Sequence, residues 1–301
     1  MEHYISFPDV SPDIFSVVVF GITIAPKWYA MAYIFGIIIG WKIAAMAVRR
    51  VNLWDQKGPA MKPENIEDLV TWIVLGVVLG GRLGYVLFYK PDVYLADPLS
   101  ALKLWEGGMA FHGGLAGVLV AVLLYCRKHR FDLWKTADML AISTAPGLML
   151  GRVANFVNAE LWGRATLSPW GVNFPGFAAQ DCPPEMYHPD GVCARFPSQL
   201  YEAGLEGLLL GAILLVLAFR FGALKRKGLV TGVFFIGYGL ARMFVEYFRQ
   251  ADEQFITANN PLGLVVQFGE TGLSMGQLLS LPMVIFGVIV LIMAQRRPKV
   301  V

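Results

Sequence analysis

Residues 69–89 read LVTWIVLGVVLGGRLGYVLFY and carry one charge, the guanidinium of Arg82. The hydrocarbon core of a bilayer is about 30 Å thick, so a helix needs roughly 20 mostly apolar residues to cross it. Lipid offers no water to bond exposed backbone groups, and a spanning segment must therefore satisfy them within a helix. The sequence predicts a transmembrane helix here.

Six further stretches of similar composition occupy most of the remaining chain. The sequence as a whole is 56% hydrophobic and 16% charged, whereas soluble domains average about 25% charged residues. We predict an all-α, polytopic integral membrane protein with about seven transmembrane helices, forming a single domain over residues 1–301. The predicted spans are residues 28–48, 69–89, 109–126, 137–157, 199–219, 230–248 and 275–293.

Lysine and arginine are distributed unevenly between the two sets of connecting segments. The loops after the first, third and fifth spans and the C-terminal tail carry fifteen of these residues, and the alternate set carries six. The richer set is expected in the cytoplasm, which places the N-terminus outside and the C-terminus inside. The long loop at residues 158–198 then lies outside, and its Cys182 and Cys193 form either a disulfide or two unpaired thiols.

A polar stripe interrupts the sixth predicted span. Tyr238, Arg242, Glu246 and Arg249 follow one another at intervals of four, four and three residues, so they share one helical face. Charged groups inside a membrane face the protein interior or water rather than lipid. We expect Glu246 to orient Arg242 and to leave its guanidinium for an anionic ligand.

A second polar group ends the fourth span, in the run GRVANFVNAELWG at residues 151–163. Arg152, Asn155 and Asn158 project from one side if the helix continues, and they suit a phosphate or glycerol hydroxyls. Gly151 and Ala154 are expected to allow close helix approach. The alternative interpretation is a helix C-terminus that is capped by amide side chains.

His112 opens the third span, within FHGGL at residues 111–115. Among the four histidines it is the one predicted to lie in the membrane among polar groups, and imidazole titrates near physiological pH. It is a candidate base, although a lone histidine is more often structural. Arg82 has a similar alternative, because it could reach the outer interface or pair structurally.

Several reaction classes have no support in the sequence. HExxH, GxSxG, Walker and dinucleotide-binding glycine motifs are absent, and the three cysteines show no metal-ligand spacing. What remains is a metal-free polar site with several arginines, open to the outer half of the bilayer. A transporter or flippase for an anionic lipid, or a structural subunit, would be compatible with the same residues.

The thirteen residues from Gly151 to Gly163 resemble, at every defined position, the signature of bacterial prolipoprotein diacylglyceryl transferases. The resemblance extends over nearly the whole chain. Further matching segments follow in order at residues 28–29, 80–85, 111–115, 197–202, 237–242, 246–250 and 274–277.

This resemblance implies a reaction and a location. A diacylglyceryl group would move from phosphatidylglycerol to the lipobox cysteine of a prolipoprotein signal peptide, with release of glycerol phosphate. The protein would be a multi-pass enzyme of the bacterial inner membrane, in contact with membrane lipid. No cofactor and no nucleic-acid partner are implied.

The predicted site has a catalytic and a substrate-binding set, which Asn155, Glu160, Gly163, Tyr238, Glu246 and Tyr29 join because the resemblance implies a role for them. The substrate thiol must lose its proton to attack carbon, which requires a base such as His112 or an arginine-centred arrangement, and Arg152 and Arg242 would stabilise the leaving phosphate. The catalytic set is His112, Arg152, Arg242, Tyr238 and Glu246. The substrate-binding set is Asn155, Asn158, Glu160, Gly163, Tyr29, Arg82 and Arg249, and Asp138 is a weaker candidate.

Phe196 departs from the family pattern. Many members carry histidine before the Pro-Ser-Gln-Leu-Tyr-Glu run, which here occupies residues 197–202. We interpret the substitution as evidence that this histidine is dispensable.

Overall fold

The computed structural model describes residues 4–257, 259–269 and 271–296, and it is mostly helical. A seven-residue π-helical segment, Ala203–Leu209, joins the helix Ser198–Glu202 to the helix Leu210–Phe219, so that Ser198–Phe219 is one continuous helix. The α-helices are α1 (Trp28–Arg49), α2 (Glu64–Phe88), α3 (Pro91–Ala96), α4 (Phe111–His129), α5 (Leu133–Val157), α6 (Ser198–Glu202), α7 (Leu210–Phe219), α8 (Leu229–Val245) and α9 (Met275–Arg296).

A helix occupies each of the seven predicted spans. Five of them are long and apolar enough to cross a membrane, within the described residues: Trp28–Arg49, Glu64–Phe88, Leu133–Val157, Ser198–Phe219 and Met275–Arg296. The helix α8 is apolar but has 17 residues, and α4 ends on Arg127, Lys128 and His129, which shortens its apolar part. The chain is therefore a multi-pass integral membrane protein with at least five candidate spans.

The outward face of α2 is what a lipid-facing helix requires. Leu75, Leu79, Leu83 and Leu87 recur every four residues and are all exposed. A soluble monomer rarely exposes so continuous an apolar surface. The surface is thus suited to the hydrocarbon of a bilayer.

Glycines bring α2 and α4 into close contact. A Cβ added to Gly80 would lie 2.8 Å from the Cα of Gly117, and one added to Gly113 would lie 2.9 Å from the Cα of Gly84. Such approach depends on small residues, as is common between membrane helices. The same test contradicts the expectation for Gly151, because a Cβ there would meet nothing within 4 Å.

Asp138 fixes the start of α8 against α5. Its buried carboxylate accepts hydrogen bonds from the backbone N–H of Gly228 (2.6 Å) and of Thr231 (2.7 Å), and from the Thr231 hydroxyl (2.7 Å). An acidic side chain at a helix N-terminus satisfies free N–H groups and complements the helix dipole. Asp138 thus caps α8, while Asp132 caps its own helix α5.

Short strands make the fold less purely helical than predicted. β1 (Ile5–Ser6) pairs in parallel with β4 (Val172–Asn173), and two antiparallel pairs are β2 (Val17–Val19) with β3 (Ile22–Ile24) and β5 (Leu264–Phe268) with β6 (Thr271–Ser274). They are confined to the connecting segments and the N-terminal region, where backbone groups have no helix to satisfy them.

The loop between α5 and α6 has its own small core. Phe174 is fully buried and packs against Phe7 and Phe156, with ring centroids 5.4 and 5.6 Å away. Cys182 and Cys193 form a disulfide, with a Cα–Cα distance of 6.0 Å. Of the two alternatives for these cysteines, the structure has the disulfide.

Candidate active site

The buried carboxylate of Glu202 contacts three arginines. It lies at the end of α6 and is fully buried. Its Oε2 is 3.0 Å from Arg152 Nε, and its Oε1 is 2.7 Å from Arg242 Nη1 and 3.4 Å from Arg249 Nη1. Arginines that are far apart in the sequence therefore converge on one side chain.

Glu246 is the second acid of this site. It contacts Nη2 of Arg242, and its Oε1 is 3.9 Å from Arg249 Nε. The Ser274 hydroxyl donates a hydrogen bond of 2.6 Å to its Oε2. We call Arg152, Arg242, Arg249, Glu202 and Glu246 the arginine cluster.

The contacts of Arg242 only partly match the expectation from the sequence. Glu246 touches Nη2, as the predicted orienting role requires. Nη1, which was expected to remain for a ligand, is paired with Glu202. A buried guanidinium needs such a counter-charge, because an unpaired charge is costly to remove from water.

The signature run, residues 151–163, ends in a strained turn. In this turn the side chain of Glu160 lies against the end of α5. Ala159 and Leu161 have φ angles of 52° and 57°, in the left-handed region that non-glycine residues rarely adopt. Asn155 donates a hydrogen bond of 2.7 Å to Glu160 Oε1, and Asn158 approaches the same oxygen at 3.4 Å. Backbone strain of this kind concentrates at functional sites.

Gly163 lies where two backbone segments meet. It forms a β-bridge with Arg249, and its N–H donates to the Phe196 carbonyl at 2.8 Å. A Cβ at this position would lie 2.7 Å from that carbonyl oxygen and would also collide with the carbonyl of Phe248. The absence of a side chain at Gly163 therefore allows this close approach of the backbone at Arg249, and its predicted role in substrate binding remains a prediction.

Replacing Gly163 with alanine is expected to displace the segment that carries Arg249 and to lower activity at least about tenfold, since a shift of ~1 Å in a positioned group can cost a hundredfold. Gly204→Ala is the matched control, because its Cβ would meet nothing within 4 Å. The measurement is the initial rate at which the two folded variants catalyse the diacylglyceryl transfer that the family resemblance implies. Equal rates would contradict the positioning role of Gly163.

Arg164 also supports the Arg249 segment. Its Nε donates to the Arg249 carbonyl at 2.9 Å. Burial lowers the pKa of the Arg164 guanidinium, and nearby Glu246 acts in the opposite direction. Arginine remains protonated in either case, so Arg164 adds a positive charge at the edge of the cluster.

A cavity of about 590 Å³ opens beside Arg249. Arg249 thus belongs both to the arginine cluster and to the wall of this cavity. The lining residues are Leu161, Trp162, Arg249, Gln250, Ala251, Asp252 and Gln254.

The sequence profile described as prolipoprotein diacylglyceryl transferase matches residues 17–293. The chain belongs to this family. A phosphatidylglycerol–prolipoprotein diacylglyceryl transferase of Ruegeria pomeroyi is 57% identical over 298 residues, which cover 99% of this chain and 100% of the relative.

Two further relatives carry the same name. The protein of Roseobacter denitrificans is 57% identical over 288 residues, covering 96% of this chain and 97% of its own length. That of Rhizobium leguminosarum is 42% identical over 291 residues, covering 97% of this chain and 94% of its own length. Membership in the transferase family does not favour the transporter or flippase alternative.

Two tyrosines that the family resemblance implied lie close to the cluster. Tyr238 on α8 interacts electrostatically with Arg152 and Arg242. Tyr29 on α1 interacts in the same way with Arg152 and Glu160. The hydroxyl of Tyr29 is 3.0 Å from that of Tyr33. Helices α1, α5 and α8 therefore all contribute to this region.

Arg82 donates hydrogen bonds to backbone carbonyls of the segment that precedes α4. Its side chain is buried and donates to Ser100 (2.8 Å), Ala101 (2.8 Å), Lys103 (3.1 Å), Gly107 and Gly108 (3.2 Å). These bonds fix the segment before α4, which is the structural alternative noted for Arg82. Its predicted role in substrate binding has no support from these contacts.

His112 follows that segment, in the first turn of α4, and its side chain is exposed. It belongs to α4, whereas the residues of the arginine cluster lie on α5, on α6 and at or after the end of α8. Its assignment as a base remains a prediction.

Phe196 occupies the position where the family pattern often has histidine. Its ring packs edge-to-face on Phe248, with centroids 5.3 Å apart, and its backbone bonds to Gly163 and Arg164. An apolar ring at this position thus contributes packing next to Arg249, and the dispensability of a histidine there remains a prediction.

The sequence prediction of the site does not include Glu202 or Glu206. Both are fully buried, and they lie four residues apart in an otherwise apolar span. Carboxylates within a span are rare and usually functional. That signal was present in the sequence and could have identified them.

Proposed function

We propose that this chain transfers the diacylglyceryl group of phosphatidylglycerol to the lipobox cysteine of prolipoproteins. The observation that carries the proposal is the convergence of three arginines on one buried carboxylate, next to a cavity that opens at Arg249. Such a site suits a phosphate at the level of the lipid headgroup. The names of the relatives supply the substrates.

The reaction breaks one bond and forms another. The thiolate sulfur attacks the glyceryl carbon that bears the phosphate, the C–O bond breaks, and its electron pair leaves with glycerol phosphate. The product is a thioether, and the thiol proton passes to a base. Fixed guanidinium groups in a water-poor site stabilise the charge on the leaving phosphate, the role we assign to Arg152 and Arg242.

The remaining site residues support these steps. Glu246 orients Arg242, and Tyr238 lies beside both arginines. We assign Arg249, Asn155, Asn158 and Glu160 to the binding of phosphate and glycerol hydroxyls, with Tyr29 at the edge of the site. Gly163 contributes through the backbone of Arg249, and Arg82 through the segment that precedes His112.

We place all seven helices across the bacterial inner membrane, as a single domain over residues 1–301. The positive-inside rule then puts the N-terminus and the loop at residues 158–198 outside, and the C-terminus in the cytoplasm. The signature turn and the cavity follow α5 and α8 on the outer side, where a prolipoprotein signal peptide presents its cysteine.

The test uses the purified full-length protein in liposomes with phosphatidylglycerol and a lipobox peptide. Glycerol phosphate release and peptide mass are measured together. We expect stoichiometric release with a diacylglyceryl mass gain, and neither when the peptide cysteine is replaced by serine. Folded protein that releases no glycerol phosphate, or that moves phosphatidylglycerol between leaflets without modifying the peptide, would overturn the proposal.

For His112 we expect the His112→Gln variant to transfer at least about a hundredfold more slowly at neutral pH, since a general base contributes ~10²–10⁴-fold. His129→Gln is the matched control, at the exposed cytoplasmic end of the same helix. Near-normal transfer by folded His112→Gln would remove His112 as the base and favour an arginine-centred activation of the thiol.

A further inference from the structure

Glu206 is a buried acid that the reaction described above does not use. It lies four residues after Glu202, in the π-helical segment Ala203–Leu209, and it is fully buried. Within the described part of the chain, neither of its carboxyl oxygens has a hydrogen-bond partner. Single π-helical turns within α-helices occur frequently at functional sites.

Charged and titratable groups on the elements that pack against this segment act electrostatically on Glu206. They are Glu202 on its own segment, Arg152 from α5, Arg242 and Tyr238 from α8, and Arg249 after α8. The guanidinium nitrogens of the three arginines contact Glu202 and Glu246 instead. Among the described residues, no lysine or arginine forms an ion pair with Glu206.

These surroundings favour the protonated form of Glu206. A buried carboxylate that lacks hydrogen-bond donors is strongly disfavoured, and the negative charge of Glu202 acts in the same direction. The arginines favour the ionised form, but their charge is already largely compensated by Glu202 and Glu246.

The charge balance of the cluster then depends on Glu206. Arg152, Arg242 and Arg249 carry three positive charges, and Glu202 and Glu246 carry two negative ones. With Glu206 neutral these groups and Glu206 sum to plus one, and Arg164 adds a further positive charge at the edge of the cluster, so the site attracts the single negative charge of a phosphodiester. Ionisation of Glu206 lowers this sum by one unit, to zero for the cluster itself, and adds a third carboxylate that repels the phosphate.

We propose that Glu206 carries a proton in the resting site and sets the affinity of the arginine cluster for the phosphodiester of an anionic phospholipid. It is a positioning residue that acts through charge rather than by touching the reacting atoms. The inference rests on the proposed function, because phosphatidylglycerol supplies that phosphodiester.

The consequence is a pH-dependent affinity. As pH rises through the ionisation of Glu206, the KM for phosphatidylglycerol should increase on the order of tenfold, the effect of one unit charge at short range in a protein. Glu206→Gln keeps the shape and stays neutral, so its KM should equal that of the unchanged protein at low pH and remain constant as pH rises.

The experiment measures transfer to a lipobox peptide by the full-length protein in liposomes. Phosphatidylglycerol is diluted into a zwitterionic phospholipid to vary its surface concentration, and KM and kcat are determined at several pH values. Ionisation of the peptide thiol changes the transfer rate of the unchanged protein and of both variants in the same way. Glu185→Gln is the control, because Glu185 is exposed in the outer loop.

The expected result is a KM that rises with pH in the unchanged protein and in Glu185→Gln, but not in Glu206→Gln. The same rise in Glu206→Gln, or no rise in the unchanged protein, would overturn the role of Glu206 and leave the proposed function intact. Failure of the unchanged protein to transfer at any pH would overturn the proposed function itself.

A second measurement covers the case in which Glu206→Gln does not fold. Stabilisation of the His112→Gln protein against thermal unfolding by phosphatidylglycerol is followed across the same pH range, so that the imidazole of His112 contributes nothing. We expect the stabilisation to decline as pH rises. Stabilisation that stays constant or increases would overturn the proposal.

Discussion

Replacing Glu202 with glutamine is expected to slow diacylglyceryl transfer at least about a hundredfold, since a shift of ~1 Å in a positioned catalytic group can cost a hundredfold in rate. The amide keeps the shape of the side chain but removes the charge that Arg152, Arg242 and Arg249 share. The three guanidinium groups would then repel one another and move apart.

Rate and stability must be measured together for this variant. The rate is measured as the release of glycerol phosphate. Stability is measured as the midpoint of thermal unfolding in the same detergent. Glu185→Gln removes an exposed carboxylate of the loop between α5 and α6 and should change neither quantity. Folded Glu202→Gln with an unchanged rate would show that the arginines do not depend on Glu202 for their arrangement.

Arg242→Lys is expected to reduce kcat by about a hundredfold or more, as does the loss of one preorganised donor to a developing anion. The two Nη atoms of Arg242 contact Glu202 and Glu246 separately. A lysine ammonium is a single point charge without this planar geometry, so it cannot maintain both contacts and present the same donors to a phosphate.

Arg220→Lys is the matched control, because Arg220 is exposed and follows the last residue of α7. The two variants are compared at saturating phosphatidylglycerol, so that kcat is separated from lipid affinity. Full activity in both Arg242→Lys and Arg152→Lys would argue against any need for the guanidinium geometry.

The helices could be predicted from the sequence because their cause is local. An apolar run such as residues 69–89 has few stable alternatives in a bilayer, and α2 contains most of it, starting at Glu64. The strands could not be predicted in this way. β1 and β4 are separated by more than 160 residues, so their pairing depends on tertiary approach rather than on local pattern.

The polar stripe of the sixth span could be predicted for the same local reason, and the contact of Arg242 with Glu246 agrees with it. The role of Glu202 could not be predicted from spacing alone, because its arginine partners come from other parts of the chain. Nor does the sequence show that Arg82 bonds the carbonyls of residues 100–108, since these bonds depend on how the connecting segment returns over α2.

The arginine cluster also implies a conflict between robustness and activity. Five charged side chains lie partly or fully out of solvent among apolar helices, and well-packed apolar residues in place of buried ion pairs are often neutral or stabilising. A redesigned chain with apolar residues in place of the cluster would thus have equal or higher thermal stability than the natural chain, but no transferase activity. Selection for heat resistance alone would tend to erase these charges, so screens for thermostable variants of this enzyme should retain an activity filter.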